Sequence, residues 1–121
     1  MSKFTILLIL MLLNSGSNSA QHKISPAKAK SNIGKEVIVS GKIEQVVKTG
    51  AGNYFFNMGG KFPHNKFTAV IFKSDAKKFG RLNTYEGKNV EISGKIKEYE
   101  GKPEIILNSK DQIKIIDKQN E

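Results

Sequence analysis

The chain has 121 residues, enough for one small domain, and it lacks cysteine, so it can hold neither a disulfide nor the lipid-bearing cysteine of a bacterial lipoprotein. Twenty Lys and Arg residues against eleven Asp and Glu give a formal net charge of +9 at pH 7, which favours polyanionic partners through long-range attraction. Arg81 is the sole arginine, and without bidentate guanidinium forks the chain is poorly equipped to read guanine edges in a duplex.

Lys3 precedes ten uncharged, mostly apolar residues, Phe4 to Leu13, and then the small polar run NSGSNSA. That order predicts a secretory signal peptide over 1–20, export to the periplasm or the medium, and a mature chain starting near Gln21 with a charge of about +8. The apolar run falls short of the roughly 20 residues that span a bilayer, so no stable membrane anchor is expected. Residues 21–32 form an N-terminal extension, in which Ser25 and Pro26 open one or two helical turns that pack Ile24, Ala27 and Ile33 on the main domain.

The main domain is expected over 33–116. Its first strand, Lys35 to Val47, alternates Val37, Val39 and Ile43 inward against Lys42 and Glu44 outward, with a bend at Gly41. The turn KTGAGN (48–53) leads into the aromatic centre of the chain, Tyr54 to Phe72, which holds six of the ten aromatic residues. It reads as two strands joined by the loop Gly59 to Lys66. In the first, Tyr54, Phe56 and Met58 take the core parity and leave Phe55 and Asn57 outside. The second, Phe67 to Phe72, is apolar on both parities, and pattern alone does not assign its inward face.

A short helix over DAKKFGRL, capped by Ser74 or Asp75 and stopped by Gly80, supplies Phe79 and Leu82 to one end of the fold. The fourth strand, Lys88 to Tyr99, turns Val90, Ile92 and Ile96 inward around a bend at Gly94. The turn Glu100 to Lys102 passes through Pro103 into a fifth strand, EIILNS. Ile113 with Ile115 or Ile116 finishes the pairing before a polar tail, 117–121, expected to be flexible. An interior glycine lets a strand coil where a sheet must close, so the order is that of an all-β, five-stranded Greek-key barrel with a short helix between the third and fourth strands.

The paired segments GKEVIVSGKIEQV from Gly34 and GKNVEISGKIKEY from Gly87, together with YFFNMGGKFPHNKFTAVIF and YEGKPEIIL, resemble the OB-fold nucleic-acid-binding domains of the tRNA-anticodon-binding-like group, over about Ile33 to Ile116. Small exported bacterial OB-fold proteins linked to envelope stress are similar in size and signal peptide. The resemblance implies an OB barrel whose binding face combines its second and third strands with the loops joining strands one to two and four to five. On this chain it selects 48–53 with Lys48 and Asn53, then Phe55, Asn57 and Lys73, and Tyr99 to Lys102.

Single-stranded nucleic acid requires aromatic faces for its bases and cations for its phosphates. Phe55 and Tyr99 suit the first need; Lys48, Lys61, Lys66, Lys97 and Lys102 suit the second. Each also has a purely structural reading: Phe55 packed under the loop that holds Phe62, Tyr99 capping the barrel mouth, the lysines as a solvated face. His22 and His64 have no acidic partner nearby in sequence, and no nucleophile, cofactor or metal-ligand motif occurs. The expected function is non-catalytic binding of single-stranded nucleic acid, or another polyanion, with low sequence preference. The alternative is an exported module for an acidic glycan, peptide or protein, and a nuclease is the third reading, without the clustered carboxylates and arginines such chemistry uses.

Overall fold

The computed structural model describes residues 22–116; the expected signal peptide and the polar tail lie outside them. The described residues form eight strands: β1 (His22–Ile24), β2 (Glu36–Lys48), β3 (Tyr54–Met58), β4 (Phe67–Ile71), β5 (Asn89–Lys95), β6 (Lys97–Tyr99), β7 (Lys102–Ile106) and β8 (Ile113–Ile115). The inward alternation of Val37, Val39 and Ile43 is as expected, and β2 is long enough to serve two partners. Residues 36–42 pair antiparallel with β5, while 43–48 pair antiparallel with β3, and the register shifts between Ile43 and Gln45. The exchange of partners lies beside Gly41, where the Pro26 ring packs so closely that an added Cβ would stand 3.0 Å from its Cγ.

The sheet runs β6-β7-β4-β3-β2-β5-β8, with β4 and β7 parallel. β6, the first strand of this path, and β5, the last but one, are separated by Ile96 alone, so one kinked segment serves both sides of the sheet and the sheet curls into the OB barrel. The single fourth strand expected from Lys88 to Tyr99 is therefore broken two residues past Gly94. Ile96 buries its side chain completely, and its backbone pairs with the residues just ahead of β2, donating to the Lys35 carbonyl and accepting from the Gly34 N–H. Beyond it, β6 turns away to pair with β7.

Phe67, Ala69 and Ile71 join Phe56, Met58, Ile92, Ile96 and Ile105 in the core, which settles the inward face of β4. The plug expected from Phe79 and Leu82 is present, but as two 3₁₀ segments, Lys73–Phe79 and Leu82–Tyr85. Gly80, at φ 73°, ends the first; neither Ser74 nor Asp75 caps it, and Asp75 instead pairs with Lys78 at 2.8 Å. The second adds Tyr85, whose ring lies 5.2 Å from that of Phe56.

The N-terminal extension differs from expectation in two ways. Its helix, Pro26–Asn32, is 3₁₀ and buries Ala29, leaving Ala27 exposed. Ahead of it β1 pairs parallel with β2, from His22 opposite Val37 to Ile24 opposite Val39, and Lys23 bonds Glu91 of β5 at 2.7 Å. Three residues are too few for alternation to announce a strand.

One side of the barrel lacks a backbone ladder: β5 pairs with β2 and β8, and β7 with β4 and β6. Gln112 spans that gap from the 3₁₀ turn Lys110–Gln112. Its Nε2 donates to the Ser93 carbonyl of β5 at 3.1 Å and to the Ile106 carbonyl of β7 at 3.0 Å. Its Oε1 accepts from the N–H groups of Asn108 and Ser109, at 2.8 and 3.0 Å, so both ends of the amide are in use.

Candidate functional site

Strand pairing puts registered residues on the same face, and successive even or odd positions follow them. On the outward face of the barrel this yields three rows. Tyr99 lies opposite Lys102; Lys97, Glu104, Thr68 and Asn57 form the next row; Ile106, Val70 and Phe55 form the third. Phe72 follows Val70 just past the end of β4, beside Asn53, whose Oδ1 accepts from the Lys73 N–H at 2.9 Å. The residues between Tyr99 and Phe72 enclose a groove of about 320 Å³ with Phe55, Val70 and Ile106 on its floor. Tyr99 is 60% exposed and Phe72 41%, so both rings offer faces to solvent.

The groove is amphoteric. Lys97 contributes a cation, while Glu98 and Glu104 contribute carboxylates. Burial pushes the Glu104 carboxyl above its ordinary value, and the charge of Glu100 adds to the rise. The folded protein thus keeps this proton to higher pH than the unfolded chain, so the stability it contributes is full below the ordinary carboxylate range and is lost as pH rises through the folded value. Glu104→Gln removes that loss. The variant is expected to melt above the parent at about pH 7 and to lose the advantage near pH 4, as thermal unfolding at both values would show. An offset independent of pH would mean that this carboxylate titrates as in the unfolded chain.

Of the residues selected from sequence, Asn53, Phe55, Lys97 and Tyr99 line this groove. Lys66 and Lys102 line a neighbouring cleft. Lys48 and Lys73 meet elsewhere, over the turn at 48–53: the Lys48 ammonium sits 5.8 Å from the Tyr54 ring centroid, and the Lys73 stem covers Gly52. Lys61 is exposed on the β3–β4 loop, outside the groove.

Asn57 requires correction as a contact residue. Its outward parity is right, but it is only 2% exposed, because the β3–β4 loop folds back across it. Its Nδ2 donates to Gln45 Oε1 at 2.9 Å, and its Oδ1 accepts from Asn65 Nδ2 at 3.2 Å and Thr68 Oγ1 at 3.1 Å. Gln45 Oε1 also accepts from the Phe62 N–H at 3.0 Å. Asn57 therefore anchors a loop, as a buried amide must if its polar atoms are to stay bonded.

The sequence matches no family model and no curated protein. Among solved structures, asparaginyl-tRNA synthetase from Pyrococcus horikoshii aligns at 21% identity over 78% of this chain and 23% of its own, with a TM-score of 0.51. Asparaginyl-tRNA synthetase from Entamoeba histolytica aligns at 19% over 85% and 25%, TM-score 0.55. Aspartyl tRNA synthetase from the same organism aligns at 17% over 90% and 28%, TM-score 0.52. The likeness is one of fold. The chain spans about a quarter of the length of these enzymes.

Within this OB barrel, sequence reading missed Phe72, Val70, Ile106, Glu98 and Glu104 as groove residues. Thr68, Val70 and Phe72 share one parity, but the equally apolar Phe67, Ala69 and Ile71 mask it, and only the parallel register with β7 brings Ile106 and Glu104 alongside. Among the described residues no group of three or more His, Cys, Asp and Glu converges in a manner that could hold a metal ion.

Proposed function

We propose that the groove binds single-stranded nucleic acid, without catalysis and with little sequence preference. The observation that carries this reading is the set of rings Phe55, Phe72 and Tyr99 on one outward face of an OB barrel, next to Lys97 and Lys102. Base–aromatic stacking tolerates any base, because every base has a π-face. The two carboxylates in the groove repel phosphates, so the bases occupy the centre and the backbone follows the lysine-bearing rim. The solved structures of similar fold are synthetases named for tRNA, a nucleic acid, which adds support.

Fluorescence anisotropy with labelled oligonucleotides over a range of salt separates the two contributions. Phe55→Ala and Tyr99→Ala are each expected to weaken binding by about 1–3 kcal/mol, roughly 5- to 150-fold, at every salt concentration with an unchanged salt slope. Lys97→Ala should instead reduce the slope by about 0.7, the share of one phosphate on a single strand. Equal competition by heparin, with no effect of either aromatic substitution, would replace this reading with an acidic-glycan or acidic-protein module.

A further inference from the structure

Lys102 stands between the groove and a second concavity. It is registered with Tyr99 on the groove face, yet its ammonium reaches the β3–β4 loop, 3.4 Å from the Pro63 carbonyl oxygen and 5.7 Å from the centroid of the Phe62 ring. Beyond it lies a cleft of about 540 Å³, lined also by His64, into which three chain segments bring cations: Lys30 from the N-terminal 3₁₀ helix, Lys66 from the β3–β4 loop, and Lys102 from β7. Glu100 is the one carboxylate in its lining. Among the described residues none of the three lysines is in an ion pair.

The frame of this cleft is fixed. The loop is tied down by the Gln45, Asn57, Asn65 and Thr68 side chains and by the Lys66 N–H bond to the Met58 carbonyl at 3.0 Å. Gly59 keeps it close, since a Cβ there would come within 2.8 Å of Lys66 Cβ and 3.1 Å of Pro26 Cβ. Three like charges held around one concavity repel each other, and a concave wall focuses their field, so an anion bound there relieves the repulsion without reorganising the protein. Phe62, 67% exposed, presents a ring at the cleft's border beside Lys102.

We propose that this cleft is a phosphate-binding subsite that extends the groove: bases stack between Tyr99 and Phe72, and the backbone crosses Lys102 to place a further phosphate among Lys30, Lys66 and Lys102, with the next base on Phe62. The proposal rests on the nucleic-acid reading of the groove for the identity of the ligand, but not for the anion site itself.

Two measurements on the full chain and on the double variant Lys30→Ala/Lys66→Ala, both of whose altered side chains are exposed, test it. In the first, inorganic pyrophosphate is titrated at low salt and amide shifts are followed by NMR. Saturable shifts at Lys66, Gly101 and Lys102 that vanish in the double variant are expected; shifts scattered over all lysine-bearing surfaces would overturn the site. In the second, oligothymidylates of about four and about nine nucleotides are compared, within the range of site sizes that OB barrels show. The longer one should bind the parent more tightly, and the double variant should lose about tenfold for the longer and under about twofold for the shorter. If groove substitutions weaken binding but the double variant does not, the subsite is wrong and the groove reading stands. If pyrophosphate binds in the cleft and no oligonucleotide binds at all, the anion site stands and nucleic acid is the wrong ligand.

Discussion

Gly94→Val is expected to cost about 2–4 kcal/mol of folding stability. A Cβ at this position would lie 2.6 Å from Ile105 Cγ2, a distance that real Cβ atoms do not tolerate. Ile105 cannot swing aside: it is β-branched, 1% exposed, and held in β7 by its pairing with Ala69. Gly94 thus lets β5 and β7 approach where no ladder joins them. Gly41→Val should cost less, about 1–2 kcal/mol, because what it meets is the Pro26 ring at 3.0 Å and the movable end of the Met58 side chain at 3.4 Å, both further off than Ile105 is from Gly94. Urea unfolding of the two variants beside Lys95→Ala, expected to stay within about 0.5 kcal/mol of the parent, ranks them. A Gly94→Val midpoint equal to the parent's would show that the β5–β7 approach is not tight.

Gln112→Leu is expected to destabilise by a similar amount, about 2–4 kcal/mol, for the opposite reason. It removes hydrogen bonds where Gly94→Val adds bulk. The substitution takes away four side-chain hydrogen bonds, two of them the polar ties between Ser93 of β5 and Ile106 of β7. Each such bond contributes about 0.5–1.5 kcal/mol net, and a carbonyl left buried without a partner costs more. Gln112→Glu should be no better tolerated, since it retains the acceptor toward Asn108 and Ser109 but turns a carboxylate oxygen on two carbonyls. Ser109→Ala, which removes the Oγ that accepts from the Asp111 N–H at 3.3 Å and takes part in the capping box with the Gln112 backbone but leaves the Gln112 side chain in place, is the milder control. Unchanged denaturation midpoints for both Gln112 variants would mean that packing alone holds this side of the barrel. Gly94 and Gln112 are neighbours, with Gln112 Nε2 3.3 Å from the position of a Gly94 Cβ, so the double variant should not be additive.

The barrel was legible because period-two alternation is a local signal. Val37, Val39 and Ile43, then Val90, Ile92 and Ile96, are spaced as strands bound to a core, and the glycines among them marked where the sheet must coil. The groove was half legible. Phe55 and Tyr99 were visible as aromatics at outward or turn positions, whereas Phe72, Ile106 and Glu104 needed the register between β4 and β7, strands that lie more than thirty residues apart in sequence. Asn57 shows the limit of parity. Outward on a strand means solvent-facing only if no loop returns over it, and the fold-back that buries Asn57 depends on Gln45, Asn65 and Thr68, none of them its sequence neighbour. The lysines show another limit: type and number were plain, but their division between the groove, the cleft beside it and the turn at 48–53 is a property of the closed barrel.

The way the sheet closes also bears on how the chain reaches this state. The β1–β2, β2–β3, β3–β4 and β6–β7 pairings join strands near in sequence; β5 with β8 joins strands further apart, and β2 with β5 and β4 with β7 join distant ones. The entropy of closing those long loops must be met before their contacts form, which places the domain among proteins that fold in milliseconds to seconds and not in microseconds. Until β7 docks, the outer edge of β4 is an unpaired, uncharged and largely apolar strand, FTAVI, of the kind that pairs with other chains. The same long-range pairing that assembles the groove from β3, β4, β6 and β7 therefore makes the time before closure the period in which this chain is most exposed to aggregation.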